Sequence, residues 1–179
     1  GASDNTLDAV GFSSGNVTLD GADGDDTLSG SPGDDLIDGG SGTDLVISTG
    51  DTDHVLTNTA LTGQGNDTLV SIEQAELIGG VSGNQLDAAA FTAGSVTLTA
   101  GDGDDTLRGS AGNDILDGGN GTDQVEQTAD TDQVLTSTSL TGQGSDALTS
   151  IEQAVITGGA SDNTLDAVGF SSGNATLDG

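Results

Sequence analysis

The sequence predicts an all-β chain, a parallel β-solenoid of short strands, and three observations carry that prediction. The chain repeats itself with a period of 79 residues. A nine-residue beat runs inside each unit, bringing an aspartate and, two places later, an apolar residue: Asp26, Asp35 and Asp44 with Leu28, Ile37 and Val46. The apolar and β-branched patches are short and bounded by Gly, Asn and Asp, and none reaches the roughly 10–12 residues of a helix.

The elements follow in order. GASDNTLDAVGFSSGN at residue 1 returns as GVSGNQLDAAAFTAGS at residue 80 and again at 159 in its first form; residues 159–179 match 1–21 except that Val17 becomes Ala175. Units 1–79 and 80–158 and the partial unit 159–179 read as one continuous domain, 1–179, because no linker or composition break separates them. Within the first unit the residues expected to face inward are Leu7, Leu19, Leu28, Ile37, Val46, Val55, Leu69 and Leu77, with Leu86 opening the next. The eight steps between them, two to a coil, make about four coils per 79-residue unit, so the next copy is expected to begin on the same face. The longer steps are assigned to loops at GFSSGN and TNTALTGQG. Strands are expected at VTLD, DTLSG, DLIDG, DLVIS, HVLT and DTLVS. LVSIEQAELIGG also places Leu69, Ile72 and Glu73 at helical spacing, but the coil spacing of Leu69 and Leu77 favours continued solenoid over a short helix. Phe12, Phe91 and Phe170, one unit apart, are read as core or loop plugs.

Composition shows why such a chain needs more than a hydrophobic core. It carries 30 acidic residues against one Lys or Arg, a net charge of -29, with 31 glycines and 2% aromatic residues. Low apolar content with high charge leaves little burial to offset chain entropy. The charge excludes nucleic acid as a partner, since nothing neutralises phosphates, and disfavours anionic membrane surfaces. No apolar run approaches the roughly 20 residues of a membrane span, so no membrane insertion is expected. No signal peptide opens the segment, so the protein stays inside or its export signal lies beyond these residues. Without cysteine there are no disulfides and no thiolate metal sites.

Read in register, residues 21–47 are GADGDDTLS, GSPGDDLID and GGSGTDLVI, and residues 100–126 are AGDGDDTLR, GSAGNDILD and GGNGTDQVE. Glycines at the first, second and fourth positions let the backbone turn tightly and bring carbonyls inward. The aspartate at the sixth supplies a hard anionic oxygen. Calcium takes roughly 6–8 oxygens, carboxylates and carbonyls alike; one turn cannot supply them, so two must share an ion. The candidate ligands are Asp26, Asp35, Asp44, Asp105, Asp114 and Asp123, extended by Asp53, Asp67, Asp132 and Asp146. Turns on one edge are two steps apart, which pairs Asp26 with Asp44 and Asp35 with Asp53. One edge is then expected to carry Asn5, Asp26, Asp44, Asp67, Asn84, Asp105, Asp123, Asp146 and Asn163, and the other Asp35, Asp53, Asp114 and Asp132. Neighbouring coils lie about 4.8 Å apart, close enough for one ion to bridge two carboxylates and repulsive without it. The asparagine positions lack charge and are expected to be weak or empty. An isolated aspartate would merely favour a turn; six in phase point to a metal. Asp38 and Asp117 are expected to face solvent, and Asp23, Asp25, Asp34, Asp102 and Asp104 to add an outer field and outer contacts.

This register resembles the G-G-x-G-x-D-x-U-x nonapeptide of the RTX, or haemolysin-type, calcium-binding proteins, over about 54 of the 179 residues. The resemblance implies a β-roll holding several Ca2+ ions, with backbone carbonyl ligands at Gly24, Gly33, Gly40 and Gly42 and at Gly103, Gly112, Gly119 and Gly121. It also implies a structural segment of a large extracellular or cell-surface bacterial protein, exported by a type I route and folding on calcium binding. An adhesin stalk, a surface layer or a matrix filament fits, with calcium and further stacked copies as partners. Two other readings are an accessory polysaccharide-binding or secretion module and an ice-binding face at Thr43 and Thr122. The first wants aromatic or basic groups, which are scarce here; the threonines recur once per unit instead of once per coil. No enzyme is expected. His54, read as an exposed strand residue, is replaced by Gln133 in the second copy, and Arg108 corresponds to Ser29. Glu73 and Glu152 recur in SIEQA but read as solvated or turn-bonding side chains.

Overall fold

Each step of the nine-residue beat becomes a turn followed by a strand of three to seven residues, and no helix forms. The computed structural model describes residues 1–179. The strands are β1 (Thr6–Asp8), β2 (Thr18–Asp20), β3 (Thr27–Ser29), β4 (Leu36–Asp38), β5 (Leu45–Thr49), β6 (His54–Thr57), β7 (Ala60–Gly63), β8 (Gly65–Val70), β9 (Gln74–Ile78) and β10 (Gln85–Ala90). They continue as β11 (Val96–Asp102), β12 (Thr106–Arg108), β13 (Ile115–Asn120), β14 (Gln124–Thr128), β15 (Gln133–Thr136), β16 (Ser139–Gly142), β17 (Gly144–Thr149), β18 (Gln153–Thr157), β19 (Leu165–Gly169) and β20 (Asn174–Asp178).

Two ten-stranded sheets face each other across a thin core. The first has the order β1-β3-β5-β9-β11-β13-β17-β16-β15-β19 and the second β2-β4-β8-β7-β6-β10-β12-β14-β18-β20. Pairing between coils is parallel and keeps like residues in line. Leu28 stands between Leu7 and Val46, and Ile37 between Leu19 and Leu69. Side chains alternate across each strand, so Leu28, Ile37, Val46, Leu69, Leu77, Leu86, Leu98, Leu107 and Leu116 are buried while their strand neighbours face out. The 69–80 segment contains β9, a strand with Ala75 and Leu77 inward, and no helix.

The expected all-β solenoid is present, but its parity is not the expected one. The 14-residue step after Val55 is no loop. β6, β7 and β8 form an antiparallel meander inside the second sheet, with Leu56 opposite Leu61 and Leu61 opposite Asp67. Folding back within one sheet gives these residues backbone partners that a loop would leave to water. A unit therefore makes seven crossings between sheets, not eight steps, and each copy begins on the sheet opposite to the last. β1 lies in the first sheet, its repeat β10 in the second, and β19 in the first again. The second copy repeats the meander as β15, β16 and β17, now in the first sheet.

The same register turns Val55 outward and brings His54 and Leu56 in, both fully buried. His54 is thus not the exposed residue expected from sequence. Its ring lies 3.4 Å from Ser48 Oγ and 3.3 Å from the Gly50 carbonyl, and burial pushes its pKa down, partly opposed by surrounding carbonyls. Gln133 fills the place in the second copy, donating to the Thr157 carbonyl at 2.8 Å and accepting from Gln127 at 2.9 Å. The three Phe residues close the same short turn in each copy, each donating its backbone N–H to the residue three before it. Phe91 is fully buried, Phe170 packs against the core, and Phe12 is half-exposed on the first coil.

Candidate metal centre

Each nonapeptide aspartate stands at the end of a turn, one residue before its strand, with its side chain reaching along the stack to the backbone of the preceding coil. Asp26 Oδ1 accepts from the Asn5 N–H at 2.7 Å, Asp44 Oδ1 from the Asp26 N–H at 2.7 Å, and Glu73 Oε2 from the Asp44 N–H at 3.0 Å. The second unit repeats this: Asp105 accepts from Asn84 at 2.6 Å, Asp123 from Asp105 at 2.9 Å, and Glu152 from Asp123 at 3.0 Å. One residue earlier an outer ladder runs alongside, in which Asp25 accepts from the Thr43 N–H, Asp34 from Asn66 and Asp104 from Thr122.

The second oxygen of the inner ladder is the informative one. Asp26 Oδ2, Asp44 Oδ2, Asp105 Oδ2 and Asp123 Oδ2 are buried and have no hydrogen-bond partner. A buried carboxylate oxygen without a partner is costly. The space beside it is shaped by glycine: a methyl group on Gly21 would strike Asp26 Oδ2 and the Gly39 carbonyl, and one on Gly39 would strike Asp44 Oδ2 and the Ser71 carbonyl. Gly118 leaves the same space between Asp123 Oδ2 and the Ser150 carbonyl. Carboxylate and carbonyl oxygens facing one small gap are the donor set that a hard cation takes. Burial pushes the Asp44, Asp105 and Asp123 carboxyls up, opposed by the N–H of the coil below; Glu73 and Asp26 push Asp44 further, Asp104 and Asp51 push Asp105, and Asp105 and Glu152 push Asp123. The fifth such oxygen, Asp117 Oδ1, lies on an outward strand position away from these turns.

The middle nonapeptide of each block is built differently. Asp35 Oδ1 accepts from the Val17 N–H at 2.8 Å, as the register requires, but its Oδ2 accepts from the Ser31 N–H at 2.6 Å and both oxygens from Ser31 Oγ at 3.1 Å. Ser110 holds Asp114 likewise, its N–H donating to Oδ2 at 2.6 Å and its hydroxyl to Oδ1 at 2.8 Å. Beside Gly30 the space next to Asp35 Oδ2 is closed by the Ile37 methyl instead of a carbonyl. The backbone differs with it. Gly24, Gly40, Gly42, Gly103, Gly119 and Gly121 take positive φ, whereas Gly33 and Gly112 of the middle turns do not. Those left-handed glycines allow close stacking: Gly40 lies against the Ala22 carbonyl and Gly42 against that of Gly24. The Gly33 and Gly112 carbonyls press on Gly65 and Gly144 of the meanders.

The parity change redistributes the edges. Asp67 does not follow Asp44; it accepts from the Asp35 N–H at 2.9 Å, and Asp146 accepts from Asp114 at 3.0 Å. Asp53 and Asp132, expected beside Asp35 and Asp114, are exposed and accept from Gln85 at 2.8 Å and Thr164 at 2.7 Å. The position above Asp44 and Asp123 belongs to Glu73 and Glu152, expected from the sequence to be solvated or turn-bonding; they bond turn N–H groups, and they do so on the aspartate ladder. Their recurrence 29 residues after those aspartates in both copies was the available signal. At the asparagine positions a hydrogen bond stands where charge is absent: Asn84 Oδ1 accepts from Gly80 at 3.0 Å and Asn163 Oδ1 from Gly159 at 2.7 Å.

No three acidic, histidine or cysteine side chains converge on one point, so an ion held beside Asp26 or Asp44 would draw its remaining oxygens from backbone carbonyls such as those of Gly39 and Ser71. The donor set fits calcium. A search of curated proteins found no match to the chain. The family model of the RTX calcium-binding nonapeptide repeat matches it in four copies, across residues 13–55 and 96–125. Those residues contain both nonapeptide blocks almost entire, with their glycine cradles and orphaned aspartate oxygens, so the β-solenoid carries RTX-type calcium-binding nonapeptide repeats over residues 13–55 and 96–125.

Proposed function

We propose that this chain is a non-catalytic structural segment of a large exported bacterial protein, an adhesin stalk, surface layer or matrix filament, that becomes a rigid spacer when it binds calcium outside the cell. The observation that carries this reading is the row of buried, unpartnered aspartate oxygens along the stack. Each coil buries only a few apolar side chains between its two sheets, and it must also bring like charges to adjacent coils. A cation at each gap supplies what the core lacks and reverses the sign of the local field. Sites that exist only in the folded chain make metal affinity folding free energy. Low calcium inside a cell then keeps the chain extended for a type I route, and higher calcium outside folds it. Further units stacked in the same register would extend the rod, each beginning on the opposite sheet. Arg108, the one basic side chain, is already paired with Asp87 and Glu126, which leaves no basic face for an acidic ligand. Circular dichroism in calcium and in chelator tests the reading: β-sheet signal with calcium and its loss on chelation is the expected result, and an unchanged spectrum refutes it. Imaging with calcium separates a spacer, seen as discrete rods, from a filament former.

A further inference from the structure

We infer that Glu73 and Glu152, outside the matched nonapeptides, each complete an additional calcium site that caps a carboxylate ladder. This deepens the calcium reading above and rests on it. Asp44 is the last nonapeptide aspartate of its ladder, fully buried, with Oδ2 lacking any partner. The gap it faces, beside Gly39, is bordered by the carbonyl of Ser71, a residue held at φ 51°. The gap beside Gly21, between Asp26 Oδ2 and the Gly39 carbonyl, has the same composition one coil lower. In the lower gap the next coil contributes Asp44, whose Oδ1 holds the Asp26 N–H; in the upper gap it contributes Glu73, whose Oε2 holds the Asp44 N–H. The Ser-Ile-Glu turn thus supplies a carbonyl and a carboxylate in the places a further nonapeptide would. Ser150, at φ 52°, and Glu152 repeat the arrangement over Asp123 Oδ2 and Gly118.

The test counts calcium per chain at saturation, by equilibrium dialysis, for the unchanged protein and for Glu73→Gln, Glu152→Gln and the double variant. Glutamine keeps an oxygen for the Asp44 or Asp123 N–H, so the hydrogen bond survives while the anionic ligand is lost. Each single substitution is expected to remove one bound ion and the double two, with the β-sheet spectrum in calcium retained. A double variant that binds the same number of ions with an unchanged midpoint overturns the inference and leaves the calcium reading standing, whereas an unchanged protein that binds no calcium overturns both. Lanthanide-soaked crystals of the unchanged chain provide a readout that needs no variant. Anomalous density between Asp44 and Glu73 supports the site, and density between Asp26 and Asp44 with none above Asp44 overturns it.

Discussion

The ladder through Asp26, Asp44 and Glu73 and the ladder through Asp35 and Asp67 begin from the same nonapeptide pattern and satisfy their carboxylates in different ways. In the first, each nonapeptide aspartate spends one oxygen on the coil below and leaves the other buried and bare. In the second, Ser31 satisfies the remaining oxygen of Asp35 with its N–H and hydroxyl. The difference lies in the second residue of the repeat: Ala22 and Gly40 in the open turns, both at positive φ, and Ser31 in the closed one. The second copy repeats the contrast with Gly101 and Gly119 against Ser110. One residue position therefore decides whether a turn waits for a cation or supplies its own hydrogen-bond donors, and calcium at a closed turn must displace the serine.

Breaking the open ladder has the largest expected effect. Asp44→Asn with Asp123→Asn removes the shared carboxylates and should raise the calcium midpoint of folding, followed by circular dichroism, at least about tenfold. Gly42→Ala and Gly121→Ala should come next, each costing about 2 kcal/mol or more, because both positions hold φ near 148° and 147° and a methyl group would meet the Gly24 or Gly103 carbonyl. Calcium-dependent thermal melts measure that cost. Ser31→Gly with Ser110→Gly converts closed turns to open ones. It should lower metal-free stability by about 1–3 kcal/mol through lost hydrogen bonds and raise the number of bound ions by up to two, read by dialysis.

The pH response separates the metal-free and loaded states. Burial pushes the Asp67 carboxyl up to about 6 and Asp146 up to about 7, with Asp35 and Asp114 adding repulsion. A carboxyl whose folded pKa is raised favours the fold while protonated, so its contribution is present at acid pH and lost as pH rises through 6 to 7. The chelated chain should therefore gain β-sheet signal as pH falls from 8 to 5. His54, with its lowered pKa, works against this below about 6.5. In calcium the order reverses, because at the open ladders protons compete with the ion for Asp44, Asp105 and Asp123, whose carboxyls burial pushes up. The smallest effect is expected for His54→Gln, under about 1 kcal/mol in a thermal melt, since the second copy holds Gln133 in the corresponding buried place.

Much of this was legible in the residues. The beat of Asp26, Asp35 and Asp44 with Leu28, Ile37 and Val46 marked the turns, the inward side chains and the chemistry of the ligand, because a nine-residue half-turn is a local property that glycine and aspartate impose on their own neighbours. The ladder partners were legible only where that local count ran unbroken, as from Asp26 to Asp44. Beyond Val46 the count failed. A 14-residue step accommodates a loop or a hairpin equally well, and what decides is whether Leu61 finds a place between Leu56 and Asp67 in a sheet.

The sequence by itself thus determined an all-β calcium-binding solenoid, its repeat and its nonapeptide turns, since these follow from near-neighbour conformational preference and the charge of one residue in nine. Tertiary structure alone decided the meander, the alternation of faces between copies, the transfer of Asp67 and Asp146 to the serine-closed ladders and the placing of Glu73 above Asp44. The last two depend on which strand pairs with which across 29 to 32 residues. That choice is made by shared burial and backbone hydrogen bonding between coils, which no single coil contains.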